Sequence, residues 1–144
     1  MKKYFFNVLL FGLLSIVAIS CSSDDDTDGS ETWVAPQIKS SGVYILNTGT
    51  MGQVFANLSY YDTETGTLTE NMFTNQNKIE MGDTGQDMLI YGSKMYYSVT
   101  SSNRIYITNH AAKLLGDKAI IEPKTDGGNA MEPRSLVAYK NKVY

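Results

Sequence analysis

Residues 87–100 read Asp-Met-Leu-Ile-Tyr-Gly-Ser-Lys-Met-Tyr-Tyr-Ser-Val-Thr, and this stretch decides the fold. Two β-rich runs, 87–91 and 94–100, flank the dipeptide Gly92-Ser93. That spacing is typical of a β-hairpin closed by a two-residue glycine turn. The stretch therefore predicts two neighbouring antiparallel strands.

Further short β-rich runs lie on both sides of this hairpin. They cover residues 43–47, 58–61, 67–69 and 104–108, and polar turn sequences separate them. Residues 110–115 have mild helical character, but Gly116 ends the pattern within two turns. No segment is a convincing helix, so the sequence predicts an all-β fold with antiparallel sheets.

The hairpin sequence recurs once along the chain. Met88–Tyr96 aligns with Leu136–Tyr144 at a constant offset of 48 residues, with two tyrosines and a lysine identical and the apolar positions still apolar. A period of this length in an all-β chain is typical of propeller blades, each a four-stranded antiparallel meander. We therefore expect blades of a β-propeller.

Four stretches carry a resemblance to a known family: Gly42–Gly49, Leu58–Gly66, Gly82–Met88 and Pro133-Arg134 before a strand. They resemble Bacteroidetes surface lipoproteins with a YVTN-type (YncE-like) seven-bladed β-propeller. The resemblance covers roughly residues 42–144. It implies a propeller domain at the cell surface. Some relatives lie over TonB-dependent transporters and capture corrinoids, whereas others have no known ligand.

The number of strands predicts about two blades and part of a third within residues 33–144. Two blades cannot close a ring, because each blade buries its faces against its neighbours. Residues 33–40 contain Pro36 and make a poor inner strand, so the first blade lacks an obvious fourth strand. We therefore expect this chain to be an N-terminal fragment of a larger propeller. A complete small β-sandwich is the alternative.

The N-terminus has the features of a secretory signal. Residues 1–20 combine a cationic head at Lys2-Lys3, an apolar stretch and small residues directly before Cys21. Cys21 is the only cysteine, so it has no internal disulfide partner, and its position predicts acylation. Two or three acyl chains would anchor the protein stably to a membrane. The alternative is an uncleaved transmembrane anchor.

Residues 21–32 form the predicted tether between the lipid and the domain. Five acids and no apolar residue after Cys21 give this segment nothing to bury. Its Ser23-Asp24-Asp25-Asp26 resembles the acidic export signal of Bacteroidetes lipoproteins, which implies the outer face of the outer membrane. A plain spacer is the alternative, and a calcium loop is disfavoured because Ala35 stands where the closing Glu should be.

Charge and composition exclude several functions. Removal of Lys2 and Lys3 leaves 10 basic residues against 15 acidic ones, a net charge of about −5. Nucleic acid is therefore not an expected partner. The single histidine, His110, has no neighbouring metal ligands in sequence, and no nucleophile–base set or phosphate-binding loop is visible. We expect no catalytic activity, no metal and no cofactor.

Candidate ligand-binding residues follow from topology. We name the four strands of a blade A to D in chain order, with A innermost. In an antiparallel meander, the loops B–C and D–A lie on one face of the propeller. The D–A loops lead into the innermost strand, so they border the central funnel. The predicted D–A loops are 74–86 and 122–134, and the predicted B–C loops are 48–57 and 101–103. Ligands of binding propellers commonly lie over the funnel, held by polar groups. The candidates are Gln86, Arg134, Asn47 and Asn103. For Gln86 and Arg134, a purely structural bond to the loops is the alternative.

These features predict a non-enzymatic lipoprotein, lipid-anchored in the outer membrane and exposed at the cell surface. It would bind a small nutrient, with corrinoids implied by the resemblance, and deliver it to a TonB-dependent transporter. One alternative is a surface propeller that docks a protein partner. Another is a propeller enzyme whose site lies in further blades.

Overall fold

Short antiparallel strands make up the folded part of the chain. The computed structural model describes residues 33–39 and 41–144. The predicted signal peptide 1–20, the acylation site Cys21 and the export signal Ser23 to Asp26 lie outside the described residues. Within the described part, no helix is long and apolar enough to cross a membrane.

Within residues 33–39 and 41–144, nine strands form three antiparallel sheets. Sheet 1 has the order β1-β2-β3, sheet 2 has the order β4-β5-β6-β7, and β8 and β9 form a separate hairpin. The strands are β1 Val43–Asn47, β2 Asn57–Asp62, β3 Thr67–Thr69, β4 Gly85–Tyr91, β5 Lys94–Val99, β6 Arg104–Thr108, β7 Ile120–Ile121, β8 Ala138–Tyr139 and β9 Lys142–Val143. The predicted all-β class with antiparallel sheets is confirmed. Sheet 2 has the strand number and order of one propeller blade.

The two hairpins related by the 48-residue offset turn at equivalent positions, but their turns differ, because Gly92 has a positive φ angle and Ser93 does not. Tyr91 pairs with Lys94 across Gly92-Ser93, and Tyr139 pairs with Lys142 across Lys140-Asn141. Lys140 and Asn141 both have positive φ angles, 45° and 62°. Left-handed residues at both turn positions match the twist of the flanking strands, so the second hairpin forms without glycine.

One short helix was not expected from the sequence. Helix α1 spans Met72–Asn77 between β3 and β4, and it buries Met72 and Phe73 completely. The prediction of no helix is therefore wrong at this position. Six residues are too few to show a helical period, and burial of two large side chains stabilises the turn.

Residues 110–115 form a turn and a bridge instead of a helix. Thr108 pairs with Leu114 in an isolated antiparallel bridge. The Asn109 carboxamide oxygen accepts hydrogen bonds from the backbone of Ala111 and Lys113, each at 3.0 Å. Such local bonds compete with helical ones, which explains why the mild helical character is not realised.

The core lies between sheets 1 and 2. Within each sheet, alternate residues of a strand point to opposite faces. One face of sheet 1 contributes Leu58 and Tyr60, and the facing side of sheet 2 contributes Tyr97 and Tyr106, all fully buried. Phe73 of α1 stacks on them, 4.8 Å from Tyr106 and 6.4 Å from Tyr97 between ring centroids. The helix thus fills the space between the two sheets.

The segment 33–39 lies against sheet 1 without forming a strand. Trp33 and Ile38 pack on the core, and the Lys39 backbone N–H donates to the Tyr60 hydroxyl at 2.9 Å. The Lys39 ammonium contacts Glu64 at 2.7 Å and Asp62 at 3.3 Å. Sheet 1 therefore has three strands among the described residues, one fewer than sheet 2.

Candidate binding site

The loops at one edge of both sheets form a single surface, which we call the loop face. It consists of the β1–β2, α1–β4, β5–β6 and β7–β8 connections. Backbone hydrogen bonds from Ala56 to Gly82 at 2.8 Å and from Gly85 to Thr48 at 3.1 Å link the β1–β2 connection to the start of β4. The Ser102 N–H donates to the Asp83 carbonyl at 3.3 Å, and the Asn103 side chain donates to the Pro123 carbonyl at 3.0 Å, which link the other two connections. The connections are therefore held in fixed positions, as a rigid binding surface requires.

Asp83 connects three of these loops, and sequence reasoning did not single it out. One carboxylate oxygen accepts from the Gly52 backbone at 2.8 Å, and the other accepts from the Thr84 hydroxyl at 3.2 Å. The Asp83 backbone N–H donates to Ser102 at 2.7 Å. The stretch Gly82–Met88 contributed to the family resemblance, but the partners of Asp83 on distant loops could not be identified without the fold.

Gln86 lies inside β4 and not in the preceding loop as predicted. The strand begins at Gly85, and the register shifts between Gly85 and Asp87, so Gln86 is the extra residue of a β-bulge. A bulge disrupts the ladder locally and redirects a side chain. The Gln86 side chain is exposed and forms no hydrogen bond within residues 33–39 and 41–144. Its amide is therefore available to a ligand.

Arg134 occupies the equivalent position before the next hairpin. Its backbone carbonyl accepts from Ser98 at 3.1 Å, and the neighbouring Pro133 carbonyl accepts from Thr100 at 2.8 Å. The side chain is 69% exposed, and its closest acidic group is Glu132 at 4.0 Å. The backbone is fixed while the guanidinium stays accessible. The described structure contains no side-chain bond from Arg134 to a loop carbonyl, which was the structural alternative.

A groove runs beside Arg134. It has a volume of about 440 Å³ and separates the segment 131–136 from Ile105 of sheet 2. Its other lining residues include Pro123 and Tyr144, so apolar surface predominates, with the charged groups of Glu132 and Arg134 among the lining. A mainly apolar lining with a few polar groups is the usual composition of a small-molecule site, and the volume lies within the common range of roughly 300–1,000 Å³.

Asn103 supports this groove. Its carboxamide donates to the Pro123 carbonyl at 3.0 Å and accepts from the backbone of Met131 and Glu132 at 3.1 and 3.0 Å. Its φ angle of 49° is left-handed, a conformation that Asn tolerates well. The side chain thus holds both ends of the 123–132 loop. We assign it a positioning role, since three of its hydrogen-bonding sites are occupied.

The Asn47 backbone lies beside Gly85, the neighbour of Gln86, but its side chain is bonded within sheet 1. Its amide donates to Asn57 at 2.7 Å and to Ser59 at 3.3 Å on sheet 1. Gln86 is the second residue of β4, whereas Arg134 lies in the β7–β8 connection, four residues before β8. Asp87, next to Gln86, accepts from the Leu136 backbone at 2.7 Å. Asn103 contacts the loop that carries Arg134.

Burial raises the pKa of two tyrosines in the core. Desolvation raises the pKa of Tyr44 to about 12, with a smaller contribution from Tyr60. Desolvation also raises the pKa of Tyr97, although its hydrogen bond with Thr108 acts in the opposite direction. Both phenols therefore stay neutral at physiological pH. Neither lies on the loop face, so these shifts reflect packing.

The charged side chains of the loop face form few salt bridges among the described residues. A hydrogen bond to the Tyr106 hydroxyl raises the pKa of Arg104, and the Arg104 Nε lies 3.7 Å from Glu122. Among the described residues, no three His, Cys, Asp or Glu side chains group as metal ligands. The His110 Nε2 atom lies 3.1 Å from the Gly92 carbonyl oxygen.

The fold and loops define an all-β protein of stacked antiparallel sheets with candidate binding groups at one edge. Residues 41–135 match a family model described as a domain of unknown function, DUF5074. The match spans well over half of the 144 residues, so the chain belongs to this family. No curated protein matches the sequence.

Proposed function

We propose that the protein is a non-enzymatic surface lipoprotein that captures a small nutrient on its loop face and passes it to a TonB-dependent transporter. The observation that carries the proposal is the accessible Arg134 guanidinium beside an apolar groove of about 440 Å³. Because the Arg134 backbone is fixed and its guanidinium is accessible, this side chain can orient an anionic or strongly polar group of a ligand.

The sequence supports the remaining parts of this proposal. The signal features of residues 1–20 and the position of Cys21 favour lipid anchoring, and Ser23 to Asp26 favours export to the outer face of the outer membrane. The resemblance to Bacteroidetes lipoproteins with YVTN-type (YncE-like) propellers supports a corrinoid as the ligand to test first. A neighbouring transporter would be the partner.

Titration calorimetry with a corrinoid tests the ligand directly. We expect binding by the full chain in detergent and a loss of at least about tenfold in affinity for Arg134→Ala. A hydrogen bond to a charged group is worth roughly 1.5–3 kcal/mol. Lys118→Ala, in the β6–β7 connection, is the control and should bind like the wild type. An absence of corrinoid binding by the wild-type chain would contradict the proposal.

A second candidate function is docking of a protein partner. The β1–β2 loop carries three exposed apolar side chains on the loop face: Met51, Val54 and Phe55. Such clusters are typical of interaction surfaces. Retention of a transporter by the chain without any corrinoid binding would favour this second function.

A further inference from the structure

A second cavity, which we call the turn-edge cavity, lies at the edge of sheet 2 opposite the loop face. It has a volume of about 460 Å³, and the β4–β5 turn and the β8–β9 turn both line it. Strand β4 spans seven residues, so this edge and the loop face are about 20 Å apart. Among the described residues, none lines both this cavity and the groove beside Arg134.

The walls of the turn-edge cavity are two hairpins that a tyrosine joins. Tyr91 ends β4, and its hydroxyl donates to the Asn141 carboxamide oxygen at 3.2 Å and accepts from the Asn141 backbone at 3.3 Å. Both strands of each hairpin pair with each other along the cavity. The cavity is therefore bounded by paired strands and by a direct bond between their turns.

Aromatic rings and hydrogen-bond donors combine in the lining. Tyr91 and Tyr96 supply two rings, and Ser93, Lys94 and Asn141 supply a hydroxyl, an ammonium and an amide. The exposed Lys94 ammonium forms no salt bridge within residues 33–39 and 41–144. The Asn141 amide nitrogen also forms no hydrogen bond there, since only its oxygen is bonded to Tyr91. These donors are therefore available to a ligand.

The charge around the turn-edge cavity is opposite to that of the whole chain. Residues 88–96 and 136–144 form the two hairpins and contain Lys94, Lys140, Lys142 and no acidic residue, whereas the sequence as a whole has a net charge of −3. No Asp or Glu of the described chain lines the cavity. The Lys140 ammonium lies over the Tyr139 ring, 5.1 Å from its centroid, and adds positive potential from outside the lining. The cavity therefore favours an anionic ligand.

We propose that the turn-edge cavity is a second ligand site, which binds a sugar that carries an anionic group. Tyrosine rings pack against apolar surface, and the C–H faces of a sugar ring provide it. The sugar hydroxyl groups bond to the amide and hydroxyl of the lining, and the Lys94 ammonium binds a phosphate or carboxylate. The volume lies within the common range of roughly 300–1,000 Å³ for small-molecule sites. This site is separate from Arg134 and does not rest on the proposed function.

Four small probes separate the contributions of the ring and the charge. Glucose 6-phosphate and glucuronate carry both, glucose carries only the ring, and glycerol 3-phosphate carries a phosphate without a sugar ring, as a lipid headgroup does. Ligand-observed NMR of the full chain in an uncharged detergent measures each dissociation constant. We expect at least one anionic sugar to bind at least about tenfold more tightly than both glucose and glycerol 3-phosphate.

Two variants assign the binding to this cavity. Lys94→Met removes the ammonium and should weaken the binding of the anionic sugar at least about tenfold. Tyr96→Leu removes a ring, so it should weaken the binding of the sugar but not any binding of glycerol 3-phosphate. Lys124→Met, which removes an exposed lysine of the β7–β8 connection, is the matched control and should bind like the wild type. Arg134→Ala should also bind like the wild type.

Circular dichroism of each variant shows whether it keeps the strand content of the wild type. An absence of binding by both anionic sugars would overturn the proposal, and so would equal binding by the wild type and Lys94→Met. Glycerol 3-phosphate binding as tightly as the anionic sugars would overturn the assignment to a sugar and favour a phosphate headgroup. These outcomes are independent of corrinoid binding, which is tested at Arg134.

Discussion

Single residues fix the contacts between segments that are far apart in sequence. The Asn77 carboxamide donates to the carbonyls of Phe73 and Ala112 at 2.9 and 2.7 Å and accepts from the Leu114 backbone at 2.9 Å. It thereby joins helix α1 to the loop after β6. Asn103 does the same for the loop beside the groove. The sequence offers no signal for either role, because all the bonded partners except Phe73 lie 20 or more residues away.

Gly42 is required by packing and not by a special φ angle. A Cβ atom at this position would overlap the ring and hydroxyl of Tyr60, which is fully buried. We expect Gly42→Ala to lower the free energy of unfolding by about 1–3 kcal/mol, the usual cost of overpacking. Urea unfolding of the full chain measures the change.

Gly127→Ala is the matched control for Gly42→Ala. A Cβ there would meet its nearest atoms at 3.8 Å, and its φ angle is not in the left-handed region. We expect a change within about 0.5 kcal/mol of zero, as is usual at open surface positions. Equal unfolding midpoints for both variants would show that Tyr60 moves aside, contrary to the packing described above.

Among the secondary-structure elements, most strands could be predicted because glycine and polar turn sequences mark their ends. Runs 43–47, 67–69 and 104–108 coincide with β1, β3 and β6. Helix α1 was missed since its only reason to form is burial of Met72 and Phe73 against two sheets. Gln86 was placed in a loop because a bulge leaves no mark in the hydrophobic pattern.

The packing of segment 33–39 should depend on pH through Glu64. The hydrogen bond from Lys39 lowers the pKa of Glu64 below its usual 4.5. A lowered folded-state pKa means that the pair stabilises the segment above about pH 4.5, and that this contribution is lost as pH falls through the folded-state pKa. Trp33 is the single tryptophan and packs partly buried against the core. Its fluorescence should therefore respond when segment 33–39 loosens.

Fluorescence of Trp33 during acid titration measures this loss. We expect a shift to longer emission wavelength with a midpoint below pH 4.5 in the full chain. Lys39→Met should remove this step, because it removes the hydrogen bond that lowers the Glu64 pKa. Lys113→Met, which has no such bond among the described residues, should keep the step. An unchanged acid step in Lys39→Met would assign the transition to other carboxylates.

At the scale of the molecule, the 48-residue repeat predicted equivalent hairpins, and the structure gives them the same register. Repetition also predicted Gln86 and Arg134 as equivalent positions, and both side chains are accessible, although Gln86 lies inside β4 and Arg134 precedes β8 by four residues. Asn47, the last residue of the predicted run 43–47, was a candidate next to the predicted loop 48–57, but its amide bonds to Asn57 and Ser59 on sheet 1. Position in the sequence alone cannot distinguish a ligand-binding amide from a structural one, because the difference depends on the partners that the fold supplies.

If a lipid-anchored chain holds a nutrient at the cell surface through Arg134, intact cells that carry the chain should retain more corrinoid than cells that lack it. Retained corrinoid is measured on both kinds of cell after washing. We expect Arg134→Ala cells to lose most of the gain, and Cys21→Ala to transfer the gain to the medium. Replacing Asp24, Asp25 and Asp26 with Ala should also remove the gain from the cell surface. Equal retention by wild-type cells and cells lacking the chain would show that the chain does not hold corrinoid there.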